Sequence, residues 1–66
     1  MSVAKTSEIS SSSSKSFEDA VRTGIRKMAG PVENIEGAWV KEQKVVVKDG
    51  EVDEYRVTMK VTFVVK

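Results

Sequence analysis

A single tryptophan, Trp39, is the residue whose chemistry stands out in this 66-residue chain. The chain contains no cysteine and no histidine, so it lacks thiolate nucleophiles, imidazole bases and the metal sites that either would build. An indole is a large flat surface that stacks on other flat rings, and aromatic contacts contribute about 0.5–1.5 kcal/mol beyond the burial of area. The residue types therefore allow two interpretations of Trp39: packing of the indole between subunits, which is favoured, and stacking of the indole on a flat ring.

Two polar side chains extend the candidate site at Trp39. Arg56 offers a planar cationic fork to a phosphate or a ring carbonyl, and its structural alternative is an ion pair with Glu54, Glu42 or a neighbouring subunit. Gln43 both donates and accepts hydrogen bonds, which suits either the edge of a heterocyclic ring or a cross-strand contact. These types of side chain indicate binding rather than a reaction.

Six carboxylates, all between residues 33 and 54, provide the remaining candidate chemistry. Repeated by symmetry, they would form oxygen-rich sites for a hard cation such as calcium, although no stretch has the spacing of a cation-binding loop. No motif raises the pKa of a carboxylate, and the four glycines are too scattered for a nucleotide-binding loop, so we expect no enzyme activity. The six are Glu33, Glu36, Glu42, Glu51, Asp53 and Glu54.

The charge balance excludes several classes of partner. Eleven basic and ten acidic residues leave a net charge of +1, which gives no reason to expect nucleic acid or an anionic membrane as a partner. No apolar run approaches the roughly 20 residues of a membrane span. The stretch from Met1 to Ser7 has no apolar signal core, so we expect a cytoplasmic protein.

A β-hairpin is the element that must position Trp39 and Arg56. Two β-branched runs flank Asp49-Gly50, which predicts one strand from Ile35 to Val46 and a return strand from Val52 to Val65. A period of two places each strand's side chains alternately on opposite faces of the sheet. The apolar set of the return strand is Tyr55, Val57, Met59, Val61, Phe63 and Val65, and the polar set is Glu54, Arg56, Thr58, Lys60 and Thr62. The same period groups Trp39 with Gly37, Lys41, Gln43 and Val45.

A helix is predicted over residues 16–28, before the hairpin. Ser16 is suited to cap its first turn with Asp19 as an approximate capping-box partner, and Gly30 and Pro31 end it. One apolar stripe recurs at helical spacing and is expected to cover the apolar face of the hairpin. Gly24 within that stripe is expected to permit close contact between helix and sheet. The stripe consists of Phe17, Ala20, Val21, Gly24, Ile25 and Met28.

The first predicted strand, Val3 to Ser10, is weakly patterned because neither of its alternating sets is strongly apolar. The serine run from Ser10 to Ser14 is expected to be a five-residue polar loop. Since the helix returns the chain across the sheet, strands one and two run in the same direction and the third runs against both. The fold class is therefore α+β: one β-α-β-β domain over residues 1–66, with a three-stranded antiparallel sheet in the order 1-3-2 packed on one helix.

The chain is small enough that we expect oligomerisation. A domain of this size buries only about 60% of the surface of its unfolded chain, and without cysteine no disulfide reinforces it. One helix cannot cover the whole of a long hairpin, so other subunits are expected to cover the remainder.

Several stretches together resemble the dodecin family over almost the whole chain. They are the run Ser16-Phe17-Glu18-Asp19-Ala20-Val21, the link Val32-Glu33-Asn34-Ile35, the run Val40-Lys41-Glu42-Gln43, and Asp49-Gly50 followed by Tyr55 to Phe63. The Tyr-x-Val-Thr-Met-Lys-Val-x-Phe stretch that begins at Tyr55 is the most specific of them. The resemblance implies a hollow dodecamer that holds a flavin (riboflavin, FMN or FAD) at subunit interfaces and stores or buffers it without catalysis.

The resemblance also implies which residues would bind the flavin. Dodecins use chiefly a tryptophan early in strand two, matched here by Gly37, and a glutamine in strand three, matched here by Arg56. Trp39 lies two residues beyond Gly37, and Lys44 falls where many flavin-binding members carry a basic residue. The candidate flavin-binding residues are thus Trp39, Gly37, Gln43, Lys44 and Arg56. Some dodecins without the tryptophan are not flavin proteins, so the alternative is a shell with a structural or interaction role, or one that binds coenzyme A or calcium.

Overall fold

The chain folds into one three-stranded sheet with a single helix packed on one face. The computed structural model describes residues 3–65; Met1 and Ser2, which open the N-terminal stretch considered above, and Lys66 lie outside that range. The elements are β1 (Val3–Ser13), α1 (Phe17–Ala29), β2 (Ile35–Lys48) and β3 (Glu51–Val65). Strand β3 lies in the centre and is antiparallel to both neighbours, in the order β1-β3-β2. The predicted β-α-β-β fold and strand order are confirmed.

The hairpin turns where the sequence predicts. Asp49 and Gly50 have φ values of 52° and 78°, the left-handed conformation that both central residues of a type I′ turn require. Beyond the turn, β2 and β3 pair from Lys48 and Glu51 back to Ile35 and Phe63. This long ladder gives the molecule its greatest extent, 52 Å.

The helix begins one residue later than predicted, because Ser16 is its N-cap rather than its first residue. The Ser16 hydroxyl accepts a hydrogen bond from the backbone N–H of Asp19 at 2.9 Å, which satisfies one of the free amides of the first turn. The helix ends at Ala29, with Gly30 as the C-cap. It has 13 residues, and no helix within residues 3–65 has the length and apolar character to cross a membrane.

The serine run is a strand and not the predicted loop. Strand β1 continues to Ser13, so that Ser11, Ser12 and Ser13 pair with β3. The buried Ser13 hydroxyl donates a hydrogen bond to the Asp19 carboxylate at 2.6 Å and accepts one from the backbone N–H of Lys15 at 2.9 Å. Pairing with β3 satisfies the backbone of the serines, although serine itself does not favour a strand. The connection to the helix shortens to residues 14–16.

The core lies between the helix and the centre of β3. Ala20, Val57, Met59 and Val61 are fully buried, and seven partly buried apolar side chains surround them. At the start of the helix, the Phe17 and Tyr55 rings meet edge to face with centroids 5.1 Å apart. The predicted separation of apolar and polar residues along β3 is therefore confirmed at its centre. The seven are Ile9, Phe17, Val21, Ile25, Met28, Ile35 and Val40.

Gly24 lies at a close contact between the helix and the sheet. A Cβ at this position would lie 2.9 Å from Met59 Cε and 3.0 Å from Ser11 Cβ. The terminal methyl of methionine is able to move aside, but Ser11 Cβ is attached directly to the backbone of β1. The expectation that Gly24 permits close helix–sheet contact is confirmed.

We therefore expect Gly24→Ala to lower the free energy of unfolding by about 1 kcal/mol. The overlap costs about 1–3 kcal/mol, and it outweighs the roughly 1 kcal/mol by which alanine favours a helix over glycine. Urea denaturation measures the change. Gly30→Ala is the matched control, because a Cβ there would meet only Lys27 O at 3.5 Å; equal effects of the two substitutions would contradict the interpretation.

The hairpin extends beyond the helix, as the sequence suggests. Near the turn, Val45, Val47 and Val52 are exposed in the single chain. The register places Val47 opposite Val52 and Val45 opposite Tyr55, so these side chains form an apolar patch that the chain's own helix leaves open.

Candidate functional site

The candidate site lies on the sheet face opposite the helix, here called the polar face. On β3 it carries Arg56, Thr58, Lys60 and Thr62, which alternate with the buried Val57, Met59 and Val61. Because directly paired residues of antiparallel strands project to the same side, the register of β1 and β2 shows which of their residues join this face. From β1 they are Thr6, Glu8, Ser10 and Ser12.

A β-bulge in β2 divides the predicted site residues between two faces. The register shifts between Val40 and Glu42, which leaves Lys41 as the extra residue. One extra residue reverses the alternation of the strand beyond it. Trp39 pairs with Lys60 on the polar face, but Gln43 pairs with Val57 on the helix face. The prediction that Trp39 and Gln43 share a face is therefore wrong.

The remaining candidates lie on the polar face with Trp39. Gly37 pairs with Thr62, two residues from Trp39, and a Cβ at Gly37 would meet nothing within 4 Å. Lys44 pairs with Arg56 further along the same face. The structure thus brings Trp39, Gly37, Lys44 and Arg56 to one side of the sheet.

Trp39 has an exposed indole with a cation beside it. The residue is 66% exposed, more than any other large apolar residue within residues 3–65. Lys60 Nζ lies 5.7 Å from the centroid of the indole, which is within the range of a cation–π contact. The ammonium group of Lys60 therefore lies near one face of the indole, and most of the Trp39 surface remains accessible to solvent.

An ion pair spans the polar face next to Trp39. Lys41 Nζ lies 3.2 Å from Glu8 Oε1, although Lys41 is on β2 and Glu8 is on β1. These strands flank β3, so they lie roughly 10 Å apart, and the Lys41 side chain must cross over β3. We call this pair the Lys41–Glu8 strap. The bulge creates it, because the extra residue directs Lys41 onto the polar face.

A shallow cavity of about 390 Å³ lies on the other side of the strap. The hydroxyl groups of Ser10, Ser12 and Thr58 contribute to its lining, together with Lys44 and Arg56. Ser10 Oγ and Thr58 Oγ1 lie 3.4 Å apart. The remaining lining residues are Ser11, Glu42 and Val57. Hydroxyls and cations together suit a polar or anionic ligand group.

Arg56 is partly engaged within its own strand. Its Nε donates a hydrogen bond to Glu54 Oε1 at 3.2 Å, and the arginine side chain is 48% exposed. This is one of the ion pairs considered as the structural alternative for Arg56. The two terminal nitrogens of the guanidinium are not used in that bond, and they retain their capacity to donate to a ligand.

In the described part of one subunit, the carboxylates considered for calcium do not form a cluster. Within residues 3–65, no group of three or more acidic side chains is placed to hold a metal ion. A calcium site formed by one chain is therefore not supported by the described residues.

Sequence reasoning missed the strap, Lys60 and the serine lining. The period-two pattern did place Lys60 on the polar face, but not the cross-strand register that sets it against Trp39. The bulge has no local sequence signal, since Lys41 lies in a run of ordinary strand residues. The serine run has the composition of a loop, and only pairing with β3 brings its hydroxyl groups to the polar face.

The comparisons with known proteins agree on one family. The sequence profile of the dodecins matches residues 3–66. The dodecin of Streptomyces davaonensis is 26% identical, with a TM-score of 0.94 over 98% of this chain and 96% of that chain. A calcium dodecin of Mycobacterium tuberculosis, described as calcium-chelating with a calcium-binding site, is 29% identical, with a TM-score of 0.84 over 97% and 91%.

A variant of the Thermus thermophilus dodecin shares the fold at 23% identity, with a TM-score of 0.95 over 100% of this chain and 98% of that chain. The sequence matches no curated protein significantly. The family profile nevertheless spans almost the whole chain, and solved dodecins superpose on its entire β-α-β-β fold. This chain therefore belongs to the dodecin family.

Proposed function

We propose that this protein binds flavin without catalysing a reaction, and stores or buffers it at subunit interfaces of a dodecameric shell. Flavin binding is typical of dodecins, and this chain belongs to that family. Riboflavin, FMN and FAD share the same flat ring, so the proposal covers all three.

The observation that carries the proposal is the exposed indole of Trp39. A tryptophan that is 66% exposed on a polar sheet face leaves apolar area in water that stacking on a flat ring would bury. Trp39 lies two residues beyond Gly37, on the same face. It is displaced by about 7 Å along the strand from the position of the family's tryptophan. The open space at Gly37 leaves room for a ring beside the indole.

The other residues of the polar face fit the polar parts of a flavin. We assign Arg56 and Lys44 to a ligand phosphate, since both are cationic and both line the cavity beyond Trp39. Gln43 is left out of this site, because the bulge turns it to the helix face. The proposed site residues are Trp39, Gly37, Lys44 and Arg56.

The exposed apolar surface of a single chain and its membership of the dodecin family both support a dodecameric assembly. The apolar patch at Val45, Val47 and Val52 is exposed in a single chain. Four fully buried hydrophobic side chains form the core of the described residues, which is a small core for an independent domain without disulfides. Burial of the patch between subunits would supply the missing apolar contacts.

The competing proposal is a dodecin shell that does not take flavin. Two observations favour it: Arg56 stands where the family's glutamine is expected and bonds to Glu54, and Lys60 lies beside the indole. One relative is a calcium dodecin, so calcium and coenzyme A are the ligands to test against flavin.

Titration of the purified protein with riboflavin and FMN tests the proposal. We expect flavin fluorescence to fall on binding, because an electron-rich indole in contact quenches the excited ring. Light scattering after size exclusion should give the mass of a dodecamer of the 7.3 kDa subunit. Unquenched flavin combined with heat released on adding calcium or coenzyme A would support the alternative, and a monomer at all concentrations would reject the shell.

A further inference from the structure

The Lys41–Glu8 strap separates the two halves of the polar face. Trp39 and Lys60 form one row across the sheet, and Glu42 and Thr58 form the next. Lys41 leaves β2 between these rows and reaches Glu8, which pairs with Lys60 at the β1 end of the first row. The aromatic half lies on one side of the strap, and the hydroxyl-lined cavity lies on the other.

We propose that Lys41, anchored by Glu8, is a specificity-determining residue that disfavours ring ligands whose long polar side chain must cross the strap. The inference rests on the proposed flavin function and deepens it. A ligand ring that has no side chain stacks on Trp39 while the Lys41–Glu8 ion pair stays intact. A ring that carries a hydroxylated chain must displace Lys41 from Glu8 to place that chain in the cavity.

The cavity explains why a polar side chain would take that path. Ser10, Ser12 and Thr58 contribute hydroxyl groups to its lining, and hydroxyls both donate and accept hydrogen bonds, as a polyol chain does. Lys44 and Arg56 lie at the far end of the cavity, directly opposite each other on the neighbouring strands β2 and β3. The cavity therefore matches the side chain of a flavin better than it matches the ring.

The strap is closed but easily opened. Its side chains are 46% and 49% exposed, and half-exposed ion pairs are held weakly, so opening one changes a binding constant by about two- to fivefold. The strap thus tunes the preference between ligands and does not block the site.

The test compares lumiflavin, which carries only a methyl group on the ring nitrogen, with riboflavin, which carries a polyol chain there. Dissociation constants for both are measured with the unmodified protein, Glu8→Ala, Lys41→Ala and the double variant. We expect each single variant to raise the affinity for riboflavin relative to lumiflavin by about two- to fivefold. The double variant should show no further gain, because either substitution already removes the same strap.

Glu18→Ala is the matched control. Glu18 pairs with Arg22 at 2.8 Å in a similar exposed ion pair, but it lies on the helix, away from the polar face, so the ratio of affinities should not change. An unchanged ratio in the strap variants, a change in Lys41→Ala alone, or multiplied effects in the double variant would overturn the inference while leaving flavin binding intact. Failure of the unmodified protein and every variant to bind either flavin would instead reject the proposed function, and the inference with it.

Discussion

Trp39→Ala is expected to weaken flavin binding while leaving the oligomer intact. Loss of the stacking contact removes about 0.5–1.5 kcal/mol beyond the lost burial, which corresponds to about a two- to tenfold rise in the dissociation constant. The bound flavin should also recover fluorescence, because the quenching indole is gone. Flavin titration and light scattering on the same variant measure both effects.

Two variants make the result specific to stacking. Trp39→Phe keeps a flat ring and should retain most of the affinity. Val3→Ala removes an exposed apolar side chain outside the patch at Val45, Val47 and Val52, and it should leave flavin binding unchanged. If Trp39 packs between subunits instead, its removal would open a cavity costing about 3–5 kcal/mol when the indole is fully buried there. The oligomer would then loosen while flavin affinity stayed the same, and that outcome would reject stacking.

Met59→Ala is expected to have the largest effect on folding. Met59 is fully buried at the centre of the core, and its terminal methyl lies against Gly24 of the helix. Truncation of a buried methionine to alanine costs about 2–5 kcal/mol, from lost burial and from the cavity that remains. A small domain has little stability to lose, so urea denaturation should show a much lower midpoint, with a substantial unfolded fraction in buffer.

The control keeps the volume of the core. Met59→Leu changes shape but not apolar character, and such substitutions usually cost less than about 1.5 kcal/mol. Val52→Ala, at an exposed position of the same strand, should change the stability of the dissociated subunit by less than about 0.5 kcal/mol. A Met59→Ala variant as stable as Met59→Leu would show that the helix does not depend on this contact.

Trp39 and its surroundings show how a β-bulge divides the side chains of one strand between the two faces of a sheet. The bulge at Lys41 lies immediately after Val40 in β2. Trp39 therefore stays on the polar face with Gly37, while the alternation of side chains is reversed in the rest of the strand. The same bulge turns Gln43 to the helix face and Lys41 to the polar face. The consequence is a polar face with four cations, namely Lys41, Lys44, Arg56 and Lys60, two of which are ion-paired across or along the sheet.

Local chemistry is sufficient to predict the hairpin, the helix and the buried centre of β3 from the sequence. Asp49 and Gly50 tolerate the left-handed conformation of a tight hairpin turn, and Ser16 offers a hydroxyl where a helix needs a cap. The period of two along β3 marks Val57, Met59 and Val61 as the buried set. Each of these signals depends on residues close together in sequence, so no knowledge of the rest of the chain was needed.

The site depended on contacts between residues far apart in the chain, and only the tertiary structure decided them. Ser11 to Ser13 have no intrinsic preference for a strand. They form one because the backbone of β3 pairs with theirs, and because the Asp19 carboxylate accepts a hydrogen bond from the Ser13 hydroxyl. The register shift at Lys41 depends on how β2 pairs with β3 over its whole length, and the residue itself gives no sign of it. A single extra residue moves every later side chain to the other face. For this reason the sequence alone predicts the wrong face for Gln43 and gives no sign of the strap to Glu8.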